Sequence, residues 1–315
     1  MAEKNQSILF ENGKLVLVTP SKVKVADEEL KNAADEIFVA ETDIQLASKQ
    51  YISTKREISV GDVTIGGSTN NTVVITGPCS VESEEQIESA AKLCVELGVK
   101  ILRAGAYKPR TSPYTFQGLG LDGLKLLDKM RSKYGLKIIT EVRDSTHADE
   151  VIEYADVIQI GAKSMYDHGI LRKCGKTRKP VLLKRGFGTT LQEFVQSAEF
   201  ILSGGNPNVM LCERGIRTFE TKTRFTLDLC GTAWLKQNTN LPVILDPSHA
   251  IGYAYGVPDL ARACVAMGVD GLLIETHPNP KIAKSDADQQ LNFDEFRNLY
   301  ASLKTVASAV GYKVV

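Results

Sequence analysis

Nothing in the 315 residues reads as a bilayer span, since no apolar run approaches the roughly 20 residues that crossing requires. An excess of charge is also missing. The 38 acidic side chains balance 38 basic ones, so no global field favours nucleic acid or an anionic membrane surface. The opening residues, MAEKNQSILFENGK, lack an apolar h-region followed by a cleavage site; no secretory signal is expected, and the expected location is the cytoplasm. The six cysteines (79, 94, 174, 212, 230 and 264) never fall in CxxC spacing. In a chain this long such thiols read as reduced and, Cys79 apart, as small core residues. A GxGxxG turn is absent after the first strand-like run, where the sequence is GPCSVES, which argues against a doubly wound open sheet.

What is present is an ordinary globular profile, 43% hydrophobic and 24% charged, with length enough for one large α/β domain. From residue 73 short apolar runs alternate with amphipathic segments. The runs are VVITGPCS, KILRAGAY, KIITEVRD, VIQIGAKS, PVLLKRGF, VMLCERGI, PVILDPSH and GLLIETHP, beginning near 73, 100, 137, 157, 180, 209, 242 and 271. Helical patterns such as SEEQIESAAKLCVELG and TLQEFVQSAEFILSGG lie between them, the latter closing on a Gly-Gly stop. Eight β-then-α units predict a (β/α)8 TIM barrel. Residues 1–57 read as an N-terminal extension, a reduced regulatory or interface segment, and 58–315 as the catalytic barrel with its own hairpin. Within the extension KLVLVTP and EIFVAET are expected as strands, with DEELKNAADE as a short helix between them. REISVGDVTIGG is expected as a β-hairpin at the bottom of the barrel.

Each apolar run ends in a Cys, Lys, Arg, Glu, His or Asp. In a barrel that end is the C-terminal face, where active sites are built, so the chain reads as an enzyme. Cys79 ends the first run, His249 the seventh, Glu275 lies on the eighth, and Asp286 falls in the polar loop HPNPKIAKSDADQQLN. The first, seventh and eighth strands are neighbours in a closed barrel, so a thiolate, an imidazole and two carboxylates can converge as a site for a borderline divalent ion. His277 and Asp288 compete for the same role, His277 because residues i and i+2 share a strand face. Cations gather at the other strand ends: Arg103 and Lys108 with Arg110 in the following loop, then Lys163, Lys184, Arg185 and Arg214. Strand alternation lets only one of Lys184 and Arg185 point inward. Such a half-ring repels itself unless polyanions such as phosphates and a carboxylate bind there.

GPCSVES, KPRTSPYTFQGLG, IQIGA, KPVLLKRG, LCERGIRTFE, DPSH and ETHP…SD, in this order, resemble the type I 3-deoxy-D-arabino-heptulosonate 7-phosphate (DAHP) synthases. The resemblance is to the subgroup similar to 3-deoxy-octulosonate 8-phosphate synthase, and it covers residues 58 to about 310. KPRTSPYTFQGLG separates these enzymes from their octulosonate relatives, which carry an Asn-Arg-Ser variant. The resemblance implies the first step of the shikimate pathway, in which phosphoenolpyruvate and erythrose 4-phosphate condense and phosphate is released. It implies metal ligands Cys79, His249, Glu275 and Asp286, with Mn2+ first and Co2+, Fe2+ or Zn2+ as alternatives. Phosphoenolpyruvate would be held by Arg103, Lys108, Lys163, Lys184 and Arg214, and the aldose phosphate by Arg110 and Thr111. Lys108, His249, Glu141 and Asp246 are the candidate catalytic residues, Glu141 for orienting water or a proton and Asp246 for orienting His249 or touching the aldose. A homo-oligomer, dimer or tetramer, is expected.

Two departures bear on the acceptor. The family usually has Arg where this chain has Lys163, and a Gly-rich turn with paired arginines where this chain reads AIGYAYGVPD after DPSH. Lysine keeps the charge but loses the bidentate fork. The rival readings are a related phosphoenolpyruvate-dependent synthase using another phosphorylated sugar, and a catalytically silent barrel serving as a partner subunit.

Overall fold

The computed structural model describes residues 7–11, 13–20, 28–108 and 112–315. Two antiparallel hairpins precede the main body. The first joins β1 (Ser7–Glu11) to β2 (Lys14–Val18), with the short helix α1 (Glu28–Ala33) after it; the second joins β3 (Glu57–Val60) to β4 (Val63–Gly66). The repeating units follow as β5 (Asn71–Gly77), α2 (Glu84–Leu97), β6 (Ile101–Arg103), α3 (Leu121–Tyr134), β7 (Lys137–Val142), α4 (Ala148–Tyr154), β8 (Val157–Ile160) and α5 (His168–Lys176). They continue as β9 (Val181–Lys184), α6 (Leu191–Ser203), β10 (Val209–Glu213), α7 (Leu229–Asn238), β11 (Val243–Leu245), α8 (Pro247–Ile251) and α9 (Val257–Ala266). The chain ends with β12 (Gly271–Glu275), α10 (Phe293–Ala309) and β13 (Lys313–Val314).

Strands β5 to β12 are all parallel, and β12 pairs back onto β5 from Gly271↔Val73 to Glu275↔Gly77. That closure makes the sheet a (β/α)8 barrel and leaves no open edge for a doubly wound fold. β13 adds beside the start of β5, at Lys313↔Asn71.

The period-2 alternation of the strands sorts side chains into two cores. Val73, Ile75, Ile101, Ile139, Leu182, Met210, Ile244 and Leu273 fill the barrel interior, together with Ile58, Val60, Val63 and Ile65 of the β3–β4 hairpin. The hairpin is therefore the floor of the barrel, as its sequence predicts. Their neighbours Val74, Leu102, Ile138, Ile158, Leu183 and Leu211 face the other way and pack under the helices. Helix starts are set by local chemistry. Thr190 and Glu193 form a reciprocal capping box on α6, and Asn292 and Glu295 do the same on α10.

The extension departs from expectation in one element. Residues 36–40 form no strand, and the partner of KLVLV is SILFE, which precedes it across a tight turn with Gly13 at φ +80°. Pairing with a segment two residues away costs far less loop entropy than pairing across the intervening helix. Further along the extension the Glu199 carboxylate accepts the backbone N–H groups of Gln45 (2.7 Å), Leu46 (3.2 Å) and Ala47 (2.8 Å), which ties this segment to α6.

Candidate active site

The polar strand ends meet over a cavity of about 330 Å³ at the C-terminal face. Lys108, Lys163, Lys184, Arg214 and Arg224 line it as cations, together with Glu141, His249 and Asp286. On β9, Leu182 belongs to the inner core and Lys184, two residues on, reaches the cavity, where it pairs with Asp246. Arg185 turns away and donates to Glu213 (3.0 Å), Asp228 (2.8 Å) and the Thr189 carbonyl (3.0 Å). Lys184 is thus the member of the pair that faces the site. Glu141 accepts from Gln159 Nε2 (2.9 Å), and its carboxylate lies against Gly161, where a β-carbon would force it to shift.

Four candidate donors converge on one wall. Cys79 Sγ donates to Asp286 Oδ2 at 3.3 Å although 207 positions separate them. The donor atoms of Cys79, Glu275 and Asp286 all lie within 4.8 Å of one another. His249 Nε2 adjoins two of the three, 3.5 Å from Glu275 Oε1 and 3.8 Å from Asp286 Oδ2. The local fold explains the aim of the imidazole. Asp246 follows β11 and caps α8, its Oδ1 accepting the His249 N–H (2.9 Å), while its Oδ2 lies 2.7 Å from His249 Nδ1. Pro247 at the first helical position starts the turn.

The loops carrying Cys79 and Asp286 are stitched together. The Cys79 N–H donates to Gln290 Oε1 (3.0 Å), Ser80 and Ser285 share a hydroxyl contact (2.7 Å), and Glu82 accepts the Lys284 N–H (2.8 Å). Asp286 itself has φ +47°, the one positive value among described non-glycine residues.

Burial, then the Glu275 and Asp286 charges, push the Cys79 thiol up to about 12, with Lys108 opposing. Burial pushes Glu275 and Asp286 up as well, but His249 with Arg103 at Glu275, and with Lys108 at Asp286, outweigh it and hold both below the usual carboxylate range. Burial lowers His249, against the pull of Asp246 and Glu275. A thiol and two ionised carboxylates packed around a neutral imidazole form a donor set that a divalent cation fits. The cation would favour the thiolate form of Cys79 and offset two of the three negative charges then present.

The rival candidates sit in other surroundings. Beyond Glu275 the strand ends, so the i, i+2 argument no longer holds. His277 is buried with Nδ1 accepting the Asn279 N–H (3.0 Å) and Nε2 3.5 Å from Glu82. Asp288 is exposed. The expected self-repelling ring of cations is also modified, because acids are interleaved with it. Arg103 is buried, with Nη1 on the Pro78 carbonyl (3.1 Å) and on Glu275; Lys108 Nζ sits 3.1 Å from Cys79 Sγ. Arg214 keeps a buried Nη1 without a hydrogen-bond partner, its guanidinium 4.4 Å over the Phe225 ring. Arg110 and Thr111 lie outside the described residues.

Sequence reasoning missed Arg224, the stacked Phe187–Phe225 wall (5.3 Å between centroids) and Gln289. TKTRFT offered only a cation and an aromatic in a polar loop, a signal shared by many exposed turns.

A family model described as the DAHP synthetase I family matches residues 43–311. This chain belongs to that family. The phospho-2-dehydro-3-deoxyheptonate aldolase of Thermotoga maritima is 46% identical over 270 residues, spanning 86% of this chain and 79% of that protein. The 2-dehydro-3-deoxyphosphooctonate aldolase of Thiobacillus denitrificans is 32% identical over 258 residues, 75% of this chain and 90% of that one. A crystal structure of the Thermotoga maritima DAHP synthase superposes with a TM-score of 0.82 at 45% identity, covering 86% of this chain and 78% of that chain. A truncated form of the synthase from that organism gives 0.81 at 42%, covering 87% and 100%. The DAHP synthetase I match begins at residue 43, so the β1–β2 hairpin lies outside it.

Proposed function

We propose that this chain is a DAHP synthase. It condenses phosphoenolpyruvate with erythrose 4-phosphate and releases phosphate at the entry to the shikimate pathway and aromatic amino-acid biosynthesis. One observation carries the reading: a thiol, an imidazole and two carboxylates converge beside five cations on a single cavity at the C-terminal face of the barrel. The 46% identity to a protein of that name supports it.

Cys79, His249, Glu275 and Asp286 hold a divalent cation, Mn2+ first, with Co2+, Fe2+ or Zn2+ as alternatives. Bound there, the ion supplies Lewis-acid polarisation of a substrate carbonyl. Arg103, Lys108, Lys163, Lys184 and Arg214 hold the carboxylate and phosphate of phosphoenolpyruvate, and cations at that phosphate stabilise it as it leaves. Arg110 and Thr111 take the aldose phosphate. Asp246 keeps the His249 ring turned so that Nε2 faces Glu275 and Asp286. Glu141 orients the water that attacks C2, or moves its proton. Most of the acceleration comes from holding together two anionic substrates that repel each other in water. Residues 1–57 serve as the extension and 58–315 as the catalytic barrel, in a cytoplasmic homo-oligomer, a dimer or tetramer. Among the described residues no helix is long and apolar enough to cross a membrane.

The test follows loss of phosphoenolpyruvate absorbance with erythrose 4-phosphate after EDTA treatment, with and without added Mn2+. Restoration of turnover by Mn2+ is the expected result, and turnover indifferent to chelation overturns the metal assignment. A second reading, a different phosphorylated sugar as acceptor, draws on Lys163 and on the stacked Tyr253–Tyr255 pair after His249, where the resemblance leads one to expect arginines. A preference for another sugar in an acceptor screen would favour it.

A further inference from the structure

The side-chain amide of Gln289 is 1% exposed and lies between two charged groups of opposite sign. Its Oε1 accepts from Arg224 Nη1 (2.7 Å), and its Nε2 donates to Glu275 Oε2 (2.5 Å). A guanidinium only donates and a carboxylate only accepts, so one orientation of the amide satisfies both. The other Glu275 oxygen is held by Arg103, which leaves the carboxylate pinned from two sides. Gln289 ends a short turn, Ala287–Gln289, that starts immediately after Asp286. A single turn therefore carries one candidate donor and the amide that aims another. Arg224 Nη1 also lies 3.6 Å from Asp286 Oδ1.

We propose that Gln289 is a positioning residue that sets the direction of the Glu275 carboxylate, and that Arg224 acts through it by locking the amide. Without Arg224 the Gln289 Oε1 loses its donor and the amide is held from the Glu275 side alone, so the aim of its N–H on the carboxylate loosens. The inference rests on the metal reading given above.

The test measures Co2+ binding to the full-length metal-free protein, by affinity and by the cobalt–thiolate and ligand-field absorption, with urea unfolding of the same samples as the control for folding. Gln289→Ala and Arg224→Ala are each expected to weaken Co2+ binding by roughly 10–100-fold and to change the ligand-field band. Arg224→Lys, which keeps a donor, is expected to restore most of the affinity. The double variant should bind no more weakly than Gln289→Ala alone, because the two act in series. Wild-type affinity and spectrum in Gln289→Ala would overturn the proposal, and additive losses in the double variant would overturn the route through Arg224. If Gln289→Ala does not fold, Arg224→Ala, at a half-exposed position, decides: wild-type affinity and spectrum there overturn the proposal. If the unmutated protein binds no Co2+, the metal reading itself fails and the proposal falls with it, a result distinct from unaltered binding by the variants.

Discussion

Loading the donor set with a divalent cation should release one proton per chain, and that proton should come from Cys79. The thiol is fully buried beside two carboxylates and is pushed up to about 12, so near neutral pH it holds its proton. Glu275 and Asp286 lie below the usual carboxylate range, and burial lowers His249, so above neutrality none of the three has a proton to give. Metal ligation requires the thiolate. Deprotonating a thiol of that pKa at about pH 7.5 costs on the order of 6 kcal/mol at ~1.36 kcal/mol per unit, which the sulfur–metal bond must outweigh. Calorimetric titration with Co2+ in two buffers of different ionisation enthalpy counts the protons directly. The unmutated protein should release about one, with the apparent Kd tightening about tenfold per pH unit below the thiol pKa. Cys79→Ala should release almost none and bind much more weakly while keeping its unfolding transition. A count of zero in the unmutated protein, or the same count in Cys79→Ala, would refute the reasoning.

Three further outcomes are expected. Burial opposes the charge on Asp246, yet His249 and Lys184 hold its carboxyl well below the ordinary value. Asp246→Asn should therefore cost about 3–5 kcal/mol in urea unfolding, a difference that is constant above the unfolded-state pKa of about 4 and narrows as pH falls toward the folded value; a difference that widens in acid would contradict this sign. Ile58→Ala, in the hairpin that floors the barrel, should lower stability by about 2–5 kcal/mol with little change in KM for either substrate, and a selective KM effect would show that the floor communicates with the site. Arg110→Ala should raise KM for the aldose phosphate far more than for phosphoenolpyruvate, whereas Lys108→Ala should chiefly lower kcat; equal weakening of both substrates by Arg110→Ala would end that division of roles.

The residues alone left His277 and Asp288 beside the four donors of the proposed metal site, and only the resemblance narrowed that set; the eight strand starts and the floor hairpin were legible in the residues. The reason is that they rest on local pattern: apolar runs of strand length, helical periodicity between them, and ligand-type residues at the run ends. Pairing across space was not legible in the same way. KLVLV pairs with SILFE, a segment not expected as a strand, and EIFVAET forms none, because loop entropy favours pairing with the nearer segment. Strand alternation alone did not choose between Lys184 and Arg185; the resemblance named Lys184, and Glu213 and Asp228 beside Arg185 supply the physical reason. His277 could compete with His249 in sequence, but once β12 ends the chain turns its ring toward Glu82. The link from Arg224 through Gln289 to Glu275 joins residues 65 and 14 positions apart, and no periodicity relates them. Closure of β12 onto β5 brings the loops after those strands together across 207 positions, so the direction of each donor is a property of the barrel and not of any segment within it.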